Sequence, residues 1–349
     1  MPAIAPQAAA DPAPGASVEA LFVARDFVAD GVFSRGIEGP ATGPGGVLYA
    51  VSYGRDGTIG QVHRQADGSG KASLFATLPD GSTGNGIRFG ADGTMYVADY
   101  TGHNVLAIDM DTRQAEVFAH LGGAFQPNDI ALAPDGALYA SDPDWANNSG
   151  QLWRIGVDGQ VRRLEADMGT TNGIEVSPDG RRLYVNESAQ RNAWVYDIDA
   201  AGDLSNKRLL IAFADHGLDG MRSDVDGNLY IARYGAGVVA VVSPQGELLR
   251  EVPLRGAKPT NVAFGGADGL CHPAGPGRDR SVQQRPPWPG IRALTRPGRR
   301  RPQSRPLRLP PAILAHRRRH DPCSSSNSRT RRRSPRNSCA RPNCRALAP

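Results

Sequence analysis

An acidic or amide residue recurs at one position of a six-copy repeat that runs from residue 38 to residue 261. In each copy this residue precedes a short apolar stretch and a Gly-rich turn, often followed by Leu-Tyr. The six recurring residues are Glu38, Asn85, Asn128, Asn172, Asp219 and Asn261. Their carboxylates and amides offer oxygen ligands, which hard divalent cations prefer. The set predicts a divalent cation site, with Ca²⁺ as the first choice and Zn²⁺, Mn²⁺ or Mg²⁺ as alternatives.

The spacing of the copies predicts how the recurring residues come together. Successive recurring residues are 47, 43, 44, 47 and 42 positions apart. A period in the forties with several strands in each unit is typical of β-propeller blades. Equivalent positions in a propeller surround one axis, so six residues in one phase should converge. We therefore predict an all-β fold, a six-bladed β-propeller over residues 19–269, with a strand from residues 21–32 completing the last blade.

The two ends of the chain do not follow this pattern. Residues 1–18 are rich in Ala, Pro and Gly and are predicted to form a flexible leader. The repeat fails after Gly269, so the last blade is predicted to be truncated or incomplete. Residues 271–349 contain 20 Arg, no Lys and no Glu, together with all four cysteines. We interpret residues 270–349 as a disordered Arg/Pro-rich tail translated out of frame; an Arg-rich arm that binds nucleic acid is the alternative.

Composition limits the location and the partners of the protein. The first 270 residues contain no cysteine, so no disulfide or zinc–thiolate framework is available to them. The N-terminus lacks the basic start and apolar run of a signal peptide, and no apolar stretch approaches the roughly 20 residues that cross a bilayer. These features predict a cytoplasmic protein without a membrane partner. Nucleic acid is not an expected partner, because stacking aromatic residues and an RNA-binding fold do not accompany the Arg clusters.

Several recurring or neighbouring residues have a simpler structural interpretation. Asn-Gly and Asp-Gly are ordinary turn dipeptides, and Asn85 and Asn261 are equally explained as strand caps. Glu38 counts against a purely structural role for the set, because Glu is a poor turn residue. His216, three residues before Asp219, is either a proton shuttle or sugar contact or a solvated loop residue. The segment 141–145 (SDPDW) either borders a sugar pocket or forms an Asp-Pro turn.

Four sequence motifs carry a resemblance to a known family. They are IEGP at 37–40, QPNDI at 126–130, TNGIEVSPDG at 171–180 and LDGMRSDVDGNLYIA at 218–232. They resemble the gluconolactonases, regucalcin (senescence marker protein) and their LRE-like relatives, and at greater distance diisopropyl fluorophosphatase. The resemblance covers about residues 20–269. It implies a six-bladed propeller with a divalent metal, often Ca²⁺, in the central tunnel.

The resemblance also implies roles for individual residues. Glu38, Asn172 and Asp219 correspond to metal ligands, and Asn128 to an amide that contacts the metal in some members and the substrate in others. Asp219 corresponds to the general base of the lactonases. Asn128, together with Asn85 and His216, is a candidate substrate contact. The chain departs from the animal lactonases at position 126, where it has Gln instead of Arg.

The implied activity is metal-dependent hydrolysis of a small-molecule lactone, derived from a sugar or related to one. One alternative is a phosphotriesterase-type hydrolase on the same site, in which Asp219 would be the nucleophile. The other is a propeller without catalytic activity, either a protein-binding scaffold or a product compromised by the loss of its last blade.

Overall fold

The computed structural model describes residues 22–265 together with two strands at 268–273 and 279–283. All of them belong to one compact unit, residues 1–289. The predicted leader and residues 284–349 of the predicted tail lie outside these ranges. Within the described residues, no helix is long and apolar enough to cross a membrane.

Strand β1 covers Ala24–Val28, and the strands that follow it form five four-stranded antiparallel sheets in chain order. The first sheet contains β2 (Ala41–Thr42), β3 (Leu48–Val51), β4 (Thr58–Arg64) and β5 (Gly70–Thr77). The second contains β6 (Gly84–Phe89), β7 (Met95–Asp99), β8 (Asn104–Ile108) and β9 (Ala115–His120). The third contains β10 (Ile130–Leu132), β11 (Leu138–Asp144), β12 (Ser149–Ile155) and β13 (Val161–Met168). The fourth contains β14 (Thr171–Val176), β15 (Arg182–Glu187), β16 (Asn192–Ile198) and β17 (Leu204–Ala212). The fifth contains β18 (Met221–Ser223), β19 (Leu229–Arg233), β20 (Val238–Val242) and β21 (Leu248–Pro253). Five successive four-stranded meanders are the blades of an all-β propeller, as the repeat predicts.

A further sheet joins the start of the described chain to its end. Its remaining strands are β22 (Pro259–Gly265), β23 (Asp268–Pro273) and β24 (Asp279–Gln283). The order is β1-β24-β23-β22, with Ala24 opposite Val282. The strand expected from residues 21–32 therefore lies in this sheet. Strands β23 and β24 extend past Gly269, where the side-chain repeat ends, because a β-ladder is made by backbone groups that every residue except Pro can supply.

In the second to fifth blades, the turn between the first two strands contains an Asp-Gly pair. Gly93, Gly136, Gly180 and Gly227 all have positive φ, between 72° and 88°. The carboxylates of Asp92, Asp135 and Asp179 each accept a hydrogen bond from the backbone N–H two residues later. Glycine supplies the left-handed conformation, and in three of these turns Asp stabilises it, in agreement with the Gly-rich turn of the repeat.

Apolar clusters fill the spaces between neighbouring sheets. Between the first and second blades, for example, Tyr49 and Val51 pack with Ile87 and Val97. A single blade buries little surface, so its stability depends on these interfaces. Inner strand β22 contributes to two of them. Val262 belongs to the cluster of the fifth blade, and Ala263 belongs to the cluster that includes Leu48 of the first blade.

In four copies the inner strands approach one another so closely that the residue after the recurring acid or amide has no room for a side chain. The residue after the recurring acid or amide is Gly in four copies (Gly39, Gly86, Gly173 and Gly220). A Cβ added at Gly173 would lie 2.4 Å from the backbone oxygen of Asp219 in the next blade. The backbone N–H of Gly220 donates to the carbonyl of Thr260 at 2.7 Å. This contact between backbones brings the preceding acid and amide side chains of successive blades close together.

We expect Gly173→Ala to lower the free energy of unfolding by about 1–3 kcal/mol, the usual cost of inserting a methyl group into a packed interior. The methyl group meets the backbone of Asp219, which cannot move without displacing the fifth blade. Urea denaturation measures the change. Gly122→Ala is the control, because an added Cβ at Gly122 meets nothing within 4 Å. Equal stability of the two variants would contradict the proposed close approach.

Candidate functional site

Four of the six recurring residues line one cavity of about 330 Å³: Glu38, Asn128, Asn172 and Asp219. They come from the first, third, fourth and fifth blades. The remaining lining residues are Trp145, Ser188, Gly217, Leu218 and Tyr234. The structure thus brings together the four recurring residues for which the family resemblance implies contact with a metal.

Local hydrogen bonds fix the orientation of the amide of Asn172. Its Nδ2 donates to Oγ of Ser188 at 3.0 Å. The Ser188 hydroxyl in turn donates to the backbone carbonyl of Leu218, the residue before Asp219. Since a nitrogen donor is held by Ser188, the amide oxygen of Asn172 is the atom available as a ligand.

The two carboxylates of the cavity have unfavourable surroundings for negative charge. Burial raises the pKa of Glu38 from 4.5 to about 8, with a further contribution from the charge of Asp129. Burial also raises the pKa of Asp219, and the neighbouring charge of Glu38 raises it further. A bound proton or a bound cation would relieve this repulsion, because either one neutralises negative charge that is poorly solvated.

The ligands available here suit a hard divalent cation. Two carboxylates and two amides supply oxygen atoms, and neither an imidazole nor a thiolate lines the cavity. The described part of the chain contains no cluster of three or more His, Cys, Asp or Glu residues that could hold a metal. A cation in this cavity would therefore combine carboxylate with amide oxygens. Ca²⁺ accepts such a mixture, since it takes about six to eight oxygen ligands in irregular geometry.

The other two recurring amides do not line the cavity. Asn261 accepts the backbone N–H of Val262 with its Oδ1 at 2.8 Å. Its Nδ2 donates to Glu38 Oε2 at 3.5 Å and to Asp129 Oδ2 at 3.4 Å. Asn261 is thus a strand cap and a donor that bridges two carboxylates. Asn85 is also buried, and its Oδ1 has no hydrogen-bond partner among the described residues; a role in substrate binding stays a prediction.

His216 lies on the loop beside the cavity, but it is not among the lining residues. Its side chain is 46 % exposed, and its Nε2 lies 3.9 Å from the carboxylate of Asp215. Gly217 and Leu218, which follow it, do line the cavity. A proton shuttle at His216 stays a prediction, and the solvated loop position agrees with the simpler interpretation.

The segment 141–145 divides into a structural part and a part that borders the cavity. Asp142 is fully buried and accepts the backbone N–H groups of Phe125 and Gln126 as well as the indole N–H of Trp153. Its carboxylate is consumed by these contacts, so Asp142 supports the third blade. Trp145, in contrast, lines the cavity.

A second tier of charged residues, which the sequence analysis missed, is connected to the cavity residues. Three residues after the recurring position, three copies carry Arg88, Glu175 and Arg222. Asp129 stands where four other copies have Gly. Arg88 bridges Asp129 at 3.2 Å and Glu175 at 3.1 Å, and Arg222 bridges Asp129 at 3.2 Å. The signal was present in the sequence, at offsets of one and three residues from the recurring acids and amides.

The charges of the two tiers differ. In the second tier, two arginines face two carboxylates and the charge is balanced. In the cavity, Glu38 and Asp219 carry two negative charges when both are ionised. An added cation would therefore balance the charge of the cavity, whereas the second tier is already balanced.

The family described as SMP-30/Gluconolactonase/LRE-like region matches residues 38–270. The chain belongs to this family.

Individual relatives within and around the family cover different shares of the chain. A gluconolactonase of Zymomonas mobilis is 32 % identical over 206 residues, which are 52 % of this chain and 57 % of that protein. The chain thus spans less than two thirds of that relative. A 6-deoxy-6-sulfogluconolactonase of Pseudomonas putida is 28 % identical over 253 residues, 70 % of this chain and 85 % of that protein.

The fold agrees with that of a solved structure. The structure of a calcium-binding protein, regucalcin, from Agrobacterium tumefaciens aligns with a TM-score of 0.62 at 21 % identity. The alignment covers 74 % of this chain and 95 % of that one. At this identity the likeness supports the SMP-30/gluconolactonase fold and no more.

The raised pKa of Glu38 predicts how stability varies with pH when a chelator is present. Between pH 4.5 and about 8 the folded protein retains a proton that the unfolded chain releases. Stability from this group is therefore full below pH 4.5 and falls as the pH rises towards 8. We expect the urea midpoint in EDTA to fall over this range, and to fall less in Glu38→Gln.

Glu116→Gln is the matched control, because Glu116 is exposed on outer strand β9. It should leave the pH dependence of the urea midpoint unchanged. An identical pH dependence in wild type and Glu38→Gln would show that Glu38 is not an acid of raised pKa.

Proposed function

We propose that the protein is a lactonase that hydrolyses a sugar-derived or related lactone at the cavity between Glu38, Asn128, Asn172 and Asp219. The observation that carries the proposal is the convergence of these four residues, from four blades, on one cavity. Membership of the SMP-30/gluconolactonase/LRE-like family supports it, as do relatives named gluconolactonase and 6-deoxy-6-sulfogluconolactonase.

Glu38, Asn172 and Asp219, with Asn128, would hold a divalent cation, with Ca²⁺ the best fit to the oxygen ligands. When bound, the cation would balance the two carboxylates and stabilise negative charge that develops on the substrate carbonyl oxygen.

The residues of the chain would bind the lactone and move the proton. Asp219 would accept a proton from the water that attacks the carbonyl carbon. Trp145 and Tyr234 line the same cavity and offer flat apolar surfaces for the carbon skeleton of the ring. Asn128 would donate or accept a hydrogen bond with a substrate oxygen, because an amide carries both kinds of group. Lactones are reactive esters, so positioning would contribute more to the rate than strong basicity.

The site would depend on a closed ring of six sheets. Inner strand β22 supports closure, because the hydroxyl of Thr260 donates to the carbonyl of Ile37, the residue before Glu38, at 3.1 Å. On its other side, the carbonyl of Thr260 accepts the backbone N–H of Gly220, the residue after Asp219. A six-bladed propeller completed by strand β1 is thus the arrangement that we propose.

Asp219→Asn should lower kcat for glucono-1,5-lactone by about 10²–10⁴-fold, because a neutral amide cannot accept the proton. Hydrolysis is followed by acid release in weak buffer, with spontaneous hydrolysis subtracted. Asp226→Asn is the control, since Asp226 is an exposed turn carboxylate of the same blade. Chelation should abolish the activity of wild type, and Ca²⁺ should restore it. Full activity of wild type in the chelator, or full activity of Asp219→Asn, would refute the mechanism.

Calcium should also stabilise the protein if the cavity binds it. A ligand at 100 times its Kd adds about 2.7 kcal/mol to the free energy of unfolding. We expect added Ca²⁺ to raise the melting temperature of wild type and not that of the double variant Glu38→Gln/Asp219→Asn. The absence of any calcium effect on wild type would favour the alternative of a propeller without a working site.

The phosphotriesterase alternative uses the same cavity, with Asp219 attacking phosphorus. Phosphorus would lose its leaving group to Asp219, and water would then attack the Asp219 carboxyl carbon, so that one Asp219 oxygen leaves with the phosphorus product. Entry of labelled water oxygen into the Asp219 carboxylate in a single turnover of a phosphotriester would favour this alternative over lactone hydrolysis.

A further inference from the structure

Asp129 is the centre of a buried network that connects the inner strands beneath the cavity. Its carboxylate is fully buried and occupies space that Gly86 leaves free, since a Cβ at Gly86 would lie 2.3 Å from Asp129 Oδ1. It accepts hydrogen bonds from Arg88 and Arg222, both at 3.2 Å, and from Asn261 at 3.4 Å. Donors from three other sheets therefore meet on one carboxylate of the third blade.

The contacts of Arg222 lie next to the residues that line the cavity. Its Nη1 donates to Asp129, which directly follows Asn128. Its Nη2 lies 3.5 Å from the carbonyl oxygen of Pro40, two residues after Glu38. Arg222 itself lies three residues after Asp219. One guanidinium thus connects the first, third and fifth blades at the points where three of the four cavity residues are attached.

Arg88 is a natural comparison, because it binds the same carboxylate from another direction. Its Nη2 donates to the carbonyl of Ile174 at 3.2 Å and to Glu175 at 3.1 Å. These contacts connect the second and fourth blades. The partners of Arg88 therefore lie close in the chain to Asn128 and Asn172. Among the described residues, Arg88 makes no hydrogen bond to the segment that carries Glu38.

We propose that Arg222 is a positioning residue that sets the spacing of Glu38, Asn128 and Asp219 through its contacts with Pro40 and Asp129, and thereby the cation affinity of the cavity. The proposal rests on the proposed function, because it assumes that these residues hold a cation.

Charge and geometry predict opposite effects of removing Arg222. A guanidinium near the cavity repels a cation, so its removal would strengthen binding if charge alone mattered. If the guanidinium positions the ligands, its removal weakens binding in spite of the lost repulsion. A lysine at this position keeps the charge but lacks the planar fork that reaches two acceptors at once.

The test measures Ca²⁺ binding to the full chain by isothermal titration calorimetry. We expect Arg222→Lys to weaken Ca²⁺ binding by about 10–100-fold, as residues that orient metal ligands typically do. Arg88→Lys, the matched control, should weaken it less. The double variant Asp129→Asn/Arg222→Met removes both ion pairs of Asp129 without changing the net charge, and Arg88 keeps Glu175 as its partner. It should also weaken binding.

Two results would overturn the proposal. Unchanged or tighter Ca²⁺ binding in Arg222→Lys and in the double variant, with wild type binding normally, would refute the positioning role and leave the proposed function intact. Absence of Ca²⁺ and Mn²⁺ binding in wild type would refute both. Urea denaturation of each variant in EDTA identifies any variant that is unfolded. If either Arg222→Lys or the double variant is unfolded, Ca²⁺ binding by the other one decides the test.

Discussion

The structure depends on direct contact between the backbones of neighbouring inner strands. Gly86 donates its N–H to the carbonyl of Asn128 at 2.9 Å, and Gly220 donates to Thr260 at 2.7 Å. A side chain at either glycine would collide with the next strand. The functional groups of this part of the strand therefore belong to the acid or amide that precedes each glycine. The contact is local, but its repetition around the fold brings residues up to 181 positions apart, Glu38 and Asp219, to one cavity.

Such convergence concentrates charge in a region that water hardly reaches. Buried charges are costly unless they are paired and hydrogen-bonded. The two tiers meet this requirement in different ways. Arg88 and Arg222 balance Asp129 and Glu175 within the protein, whereas the carboxylates of the cavity have raised pKa values. The charges of the second tier are paired within the protein and support the structure. The charges of the cavity are incompletely paired, as expected of a site that binds a cation.

Much of the fold and of the candidate site was predictable from the sequence, because phase along a repeat determines position around an axis. The strand expected from residues 21–32 contains β1, and four of the six recurring residues line one cavity. Position within the repeat does not determine how an amide side chain is oriented. Asn261, for example, donates to carboxylates from other sheets. Nor does that position reveal the role of Asp142, whose donors lie up to 17 positions away. Strands β23 and β24 depend on backbone pairing and leave no side-chain pattern.

The sheet that contains β1 and β24 also constrains when the protein can finish folding. Ala24 pairs with Val282, so this sheet combines a strand made early in translation with one made 258 residues later. The five intervening blades are synthesised before β24, and until then β1 lacks the strand with which it pairs. During that interval its open edge is free to pair with another nascent chain. The order of synthesis therefore exposes the N-terminal strand to misassembly on the polysome for longer than any blade between it and its partner.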